Sequence, residues 1–95
     1  MRILVVEDEH KVAGFIKKGL EAERYAVDVA SDGHSGLDLA LTYEYDLVIL
    51  DVMLPGLSGS EVLATVRRQK PSLPILILTA RDALPDKIAH FEQGL

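Results

Sequence analysis

Three places in the chain carry side chains able to act together. Glu7-Asp8-Glu9 follows the apolar run 3–6, Asp51 follows the apolar run 47–50, and Thr79 follows the apolar run 75–78. A carboxylate at the end of a buried segment is costly unless something pairs with it. Carboxylates brought together repel one another and make each other harder to ionise. A hard divalent cation with oxygen ligands relieves both problems. Mg2+ suits the pattern because it takes one or two carboxylates, keeps several waters and binds phosphate oxygens. An acid pair plus a separate acid on another segment therefore points to phosphoryl transfer, with Asp51 as the nucleophile. The competing reading is that Glu7, Asp8 and Glu9 are solvated turn residues. For that trio alone it is the commoner outcome, but Asp51 at the end of a buried run shifts the balance towards a site.

The elements around these residues must bring them together. The runs 3–6, 47–50 and 75–78 are apolar throughout and cannot alternate between core and solvent. They read as strands buried on both faces, as in a parallel sheet with helices on each side. Pro55-Gly56 forbids the third strand from continuing. Residues 25–30 alternate and read as a second strand, with Asp28 on the more exposed face and an edge position in the sheet. A first helix is expected over 9–23, with Val12, Phe15, Ile16 and Leu20 as its inward stripe. A second is expected over 33–43 after the turn Ser31-Asp32-Gly33, with Leu37, Ala40 and Leu41 inward. A third starts near Gly59, capped by Ser58 or Ser60, with Val62, Leu63 and Val66 inward. A last helix is expected over 85–93, with Pro85 in its first turn. Strands alternating with helices mean right-handed crossovers and a doubly wound α/β sheet. In such a sheet the carboxyl ends of strands one, three and four share one rim, where ligands bind. That rim gathers Glu7, Asp8, Asp51 and Thr79.

Composition narrows the alternatives. A chain of 95 residues makes one domain, 1–95. A net charge of −5 and the absence of Trp argue against a nucleic-acid surface or an anionic-membrane surface. With no Cys there are no disulfides, no thiolate chemistry and no Cys-based zinc site, which fits a reducing, cytoplasmic location. No apolar run reaches membrane-spanning length, and the acids at Glu7-Asp8-Glu9 exclude a signal peptide. No Gly-rich phosphate loop follows Val6, so a dinucleotide or flavin binder is not supported. Phosphohydrolases that place Asp-x-Asp after the first strand are disfavoured by Glu7-Asp8-Glu9. His10, His34 and His90 are spaced too widely for a metal site and read as surface residues. Arg67-Arg68 reads as a solvated helix end.

The chain resembles the receiver domain of two-component response regulators. The likeness is carried by Glu7-Asp8, by Asp51-Val52-Met53-Leu54-Pro55-Gly56-Leu57-Ser58-Gly59 and by Leu78-Thr79-Ala80-Arg81-Asp82, in the family's order and spacing. It implies a flavodoxin-like sheet of order 2-1-3-4. It implies that Asp51 accepts a phosphoryl group from a phosphohistidine on a sensor histidine kinase. Asp8, Asp51 and the backbone carbonyl of Met53 would hold Mg2+, with Glu7 assisting through water, and the Thr79 hydroxyl would donate to a phosphoryl oxygen. Such a domain phosphorylates and dephosphorylates itself and turns over no external substrate. Thr79-Ala80-Arg81-Asp82 is similar to the OmpR-like branch, whose members carry a DNA-binding winged helix after the receiver. The family pattern continues through a fifth strand, with a lysine and a switch aromatic, and a fifth helix. Against that pattern the chain reads as an incomplete receiver with impaired phosphorylation and no direct nucleic-acid binding, or alternatively as a noncatalytic interaction module. An edge left open along 74–79, with no charge within 75–78, or a sheet face left uncovered beside helix one, would then favour a homodimer.

Overall fold

The computed structural model describes residues 1–78 and 90–92. Its elements run β1 (Arg2–Val6), α1 (His10–Ala22), β2 (Ala26–Ala30), α2 (Gly33–Thr42), β3 (Leu47–Asp51), α3 (Gly59–Gln69), β4 (Ile75–Leu78) and β5 (His90–Glu92). The first four strands are parallel, in the order β2-β1-β3-β4, as the apolar runs and their alternation with helices require. The half-polar β2 lies at one edge, as expected.

The sheet separates two cores. Leu4, Val6, Val48 and Leu50 point to the side of α2 and α3 and meet Ala40, Val62 and Val66. Ile3, Val5, Val27 and Ile49 point to the other side, where Ile16 and Leu20 of α1 pack. Every second residue of a central strand serves one core and the next serves the other, which explains runs with no polar interruption.

Four expectations are corrected. Phe15, expected inward on α1, is 80% exposed, and Ala13 is the buried residue of that helix. The buried face centres between Val12 and Ala13, where a small side chain lets α1 lie close to β1 and β2; Phe15 falls on its flank. Asp28, expected on the more exposed face of β2, is half-exposed there and is held by the Tyr45 hydroxyl at 2.6 Å and by Arg2 at 3.0 Å. The helix expected over 85–93 fails at His90–Glu92, which form β5; the other residues of that stretch lie outside those described. The sheet lacking a fifth strand therefore gains a short antiparallel one, with Ile75 opposite Glu92, Leu76 opposite Phe91 and Ile77 opposite His90. Backbone groups on the outer edge of β4 need partners, and the returning chain supplies them. The open edge proposed for a homodimer is thus paired along Ile75, Leu76 and Ile77. The ground that rested on an open edge falls away along these three residues. On the face beside α1, Ile3, Val5, Val27 and Ile49 are buried, while Leu76 and Leu78 of β4 are only partly buried.

The opposite, amino-terminal rim is tied by charge. The Arg2 guanidinium lies 5.3 Å from the Tyr43 ring centre and 5.2 Å from that of Tyr45 while it pairs with Asp28. The Arg2 backbone N–H also donates to Asp46 at 2.7 Å. This joins β1, β2 and the turn into β3. Among the described residues no helix is long and apolar enough to cross a membrane.

Candidate metal and phosphoacceptor site

Pairing of β1 with β3 sets Val6 opposite Leu50, so the next residues, Glu7 and Asp51, leave the sheet side by side. Asp51 in turn pairs with Leu78 at the end of β4. Glu7, Asp8 and Asp51 each bring a carboxylate oxygen within 4.8 Å of the others'. Glu7 is 4% exposed and Asp51 3%, and they are the buried charged residues among those described. The ion pairs among the described residues join Arg2 to Asp28, Lys17 to Glu21 and Lys70 to Glu44; none involves this trio.

Backbone N–H groups orient two of the acids. Glu7 accepts from Glu9 at 3.0 Å, and Asp51 Oδ1 accepts from Met53 at 2.9 Å. Burial, followed by the charges of Asp51 and Asp8, pushes the Glu7 carboxyl up to about 7. The site therefore has an excess of negative charge that hydrogen bonds alone do not offset. The donor set is all oxygen, compact and anionic, and it fits a hard divalent cation such as Mg2+.

The loop 52–58 forms the outer wall. Gly56 takes the positive φ of 73° that its turn demands. Val52, Leu54 and Leu57 pack on the core beneath, while Met53 faces solvent. Of the two candidate caps for α3, Ser58 is the one used. It accepts from the Glu61 N–H at 3.3 Å and its own N–H donates to the Glu61 side chain at 3.2 Å, a reciprocal capping box. Loop and helix therefore start from a fixed point.

The structure thus brings Glu7, Asp8 and Asp51 together and ties Met53 to Asp51. Thr79, expected to complete the site, lies outside the described residues. His10 and His34 are exposed, as expected of surface residues. Sequence reasoning missed Arg2, Asp28, Tyr43 and Tyr45, because nothing in local spacing links residues joined only through strand pairing. It also missed Lys70, whose Nζ donates to the Ala40 and Tyr43 carbonyls at 2.9 and 2.8 Å and so closes the carboxyl end of α2.

A doubly wound sheet, parallel through its first four strands, with an acid cluster across β1 and β3 defines an α/β domain with an anionic carboxyl rim. The chain belongs to the response regulator receiver domain family, whose model matches residues 3–95. It is 49% identical over 92 residues to the uncharacterized transcriptional regulatory protein YkoG of Bacillus subtilis, covering 97% of this chain and 40% of YkoG. The chain thus spans well under half the length of that relative. Among solved structures it is similar to the response regulator TrrA of Thermotoga maritima in complex with Mg2+ and BeF, at 40% identity and a TM-score of 0.81, covering 90% of this chain and 74% of that one. It is likewise similar, at 40% identity and a TM-score of 0.79, to TrrA in complex with the histidine kinase ThkA, covering 88% of this chain and 72% of that one.

Proposed function

We propose that this chain is a phosphoacceptor domain of a two-component system, with Asp51 receiving the phosphoryl group from a phosphohistidine on a sensor histidine kinase. The observation that carries the reading is the buried Asp51 carboxylate within 4.8 Å of Glu7 and Asp8 at the sheet's carboxyl rim. A carboxylate oxygen of Asp51 attacks phosphorus; the P–O bond of an acyl phosphate forms as the P–N bond of the donor breaks, and the departing imidazole takes a proton from solvent. Asp8, Asp51 and the Met53 backbone carbonyl would hold Mg2+, with Glu7 assisting through water. When bound, the ion neutralises charge on the transferring phosphoryl oxygens. The Thr79 hydroxyl would donate to one of those oxygens. Family membership supports this reading, as do the Mg2+ and BeF bound by TrrA and the complex of TrrA with ThkA.

A role in control of transcription is part of the same proposal, supported by the likeness to a transcriptional regulatory protein. A cytoplasmic location follows from it, since the phosphodonor is a kinase's phosphohistidine. Direct contact with nucleic acid is not assigned to these residues, in keeping with the net charge of −5.

The test is incubation with acetyl phosphate and Mg2+, followed by intact-mass measurement. The parent should gain one phosphoryl adduct that is labile at alkaline pH, and Asp51→Asn should gain none. An adduct of equal yield on Asp51→Asn would overturn the assignment.

A further inference from the structure

Gly33 opens α2 and is far in sequence from the acids, yet it touches the loop that walls their site. A Cβ at Gly33 would overlap the Leu57 carbonyl oxygen and would lie 2.8 Å from the Leu57 carbonyl carbon and 2.9 Å from its Cβ. Real Cβ atoms essentially never approach so closely, and backbone atoms cannot rotate away. The reason is not torsional: Gly56, and not Gly33, is the glycine with positive φ among the described residues. Gly33 is required by contact, not by conformation.

Neither partner in this contact can give way easily. The first turn of α2 is pinned by Asp32, whose Oδ1 accepts the Ser35 N–H at 2.8 Å. Leu57 is anchored through its side chain on the core cluster that contains Leu4, Val6 and Val62. At its other end the loop is closed by a second near-contact. The Gly59 N–H donates to the Val52 carbonyl at 3.3 Å, and a Cβ at Gly59 would overlap Val52 Cα and lie 2.6 Å from the Asp51 carbonyl oxygen. The loop is therefore held at Val52 and at Leu57, with Met53 between these points and its N–H on Asp51.

We infer that Gly33 is a positioning residue for the Mg2+ site: by letting the first turn of α2 press on the Leu57 backbone, it sets the loop that presents Met53 to Asp51, Asp8 and Glu7. The inference rests on the Mg2+ reading above and extends it to a residue that touches none of the acids. A methyl group at position 33 must push Leu57 outward. A loop tied at both ends passes that shift to Met53, and metal sites lose affinity when the groups behind their ligands move.

The test is Mg2+ binding by calorimetry, with circular dichroism as the check on folding, for the parent, Gly33→Ala and Leu73→Ala. Leu73 is buried in the same core cluster, in the connector before β4 and away from the loop, so its truncation costs stability without moving the loop. Gly33→Ala should keep the helical signal and weaken the Mg2+ Kd by about ten- to a hundred-fold, while Leu73→Ala keeps the parent Kd. Parent-like affinity in Gly33→Ala would overturn the inference, and so would an equal loss in Leu73→Ala, which would trace the effect to general destabilisation. If Gly33→Ala does not fold, Leu57→Ala keeps the backbone that touches Gly33 but removes the side chain that anchors the loop on the core, freeing Leu57 to move from the loop side. Weakened Mg2+ binding there supports the inference and unchanged binding overturns it. Failure of the parent itself to bind Mg2+ would overturn the Mg2+ reading, and the inference with it, and would be seen before any variant is made.

Discussion

Asp51 and Met53 are joined within one turn: the Asp51 Oδ1 accepts the Met53 backbone N–H at 2.9 Å, so the proposed phosphoacceptor and the loop beside it orient each other. An aspartate that bonds a backbone N–H two residues on replaces a peptide hydrogen bond and stiffens the turn. The carboxylate oxygen used is one that an asparagine could also supply.

Asp51→Asn should therefore keep the fold while losing the chemistry. Without metal its thermal midpoint should equal or exceed the parent's, because one of three crowded negative charges has gone. A midpoint several degrees below the parent in a metal chelator would show that the charge on Asp51 holds the fold together.

Mg2+ should stabilise the parent. At about a hundred times its dissociation constant, a ligand that binds only the native state adds roughly 2.7 kcal/mol. Glu7→Gln tests the cause of that gain. It keeps an oxygen for the Glu9 N–H and removes a buried charge, so in chelator it should be more stable than the parent by on the order of 1 kcal/mol. Calorimetric midpoints with and without millimolar Mg2+ decide both points; a parent insensitive to Mg2+ would remove the metal reading.

Tyr45→Phe probes the opposite rim. The hydroxyl is 2.6 Å from Asp28, and its loss should cost about 1–2 kcal/mol near neutral pH. Burial, then the hydrogen bond to Asp28, pushes Tyr45 from 10.0 up to about 12. A group raised in the folded state contributes fully below its unfolded value and loses that contribution as pH rises through the folded one. The parent's advantage over Tyr45→Phe should thus shrink between pH 10 and 12. The hydrogen bond from Tyr45, then that from Arg2, lowers Asp28 from its ordinary carboxylate value, so the advantage should also fade as acid protonates Asp28. Urea unfolding across pH, by circular dichroism, follows the difference; a constant gap at high pH would contradict the shared proton geometry.

Lys70→Met removes the cation that closes α2. Two donated bonds to the Ala40 and Tyr43 carbonyls should make it cost about 1–2 kcal/mol, several degrees in midpoint for a domain of this size. The rise in midpoint produced by Mg2+ should be unchanged, because Lys70 lies at the rim opposite the acids. A reduced Mg2+ response would mean that the two rims are coupled through α2.

The sequence by itself determined the parallel four-stranded frame and the meeting of Glu7, Asp8 and Asp51. Buried strands between two helix layers must be apolar on both faces, and a run that stops at a carboxylate marks the strand's end. The cap of α3 was narrowed to Ser58 or Ser60, and only the reciprocal bonds with Glu61 decided it. Tertiary structure alone decided the rest. Hydrophobic spacing marks a face of α1 but not its rotation against the sheet, so Ala13 and not Phe15 is buried. Edge pairing depends on which segment reaches unpaired backbone groups, so His90–Glu92 became a strand beside β4. The contacts of Gly33 with Leu57, of Tyr45 with Asp28 and of Lys70 with Ala40 join residues whose separation along the chain carries no periodic signal, and they exist only once the sheet has set its register.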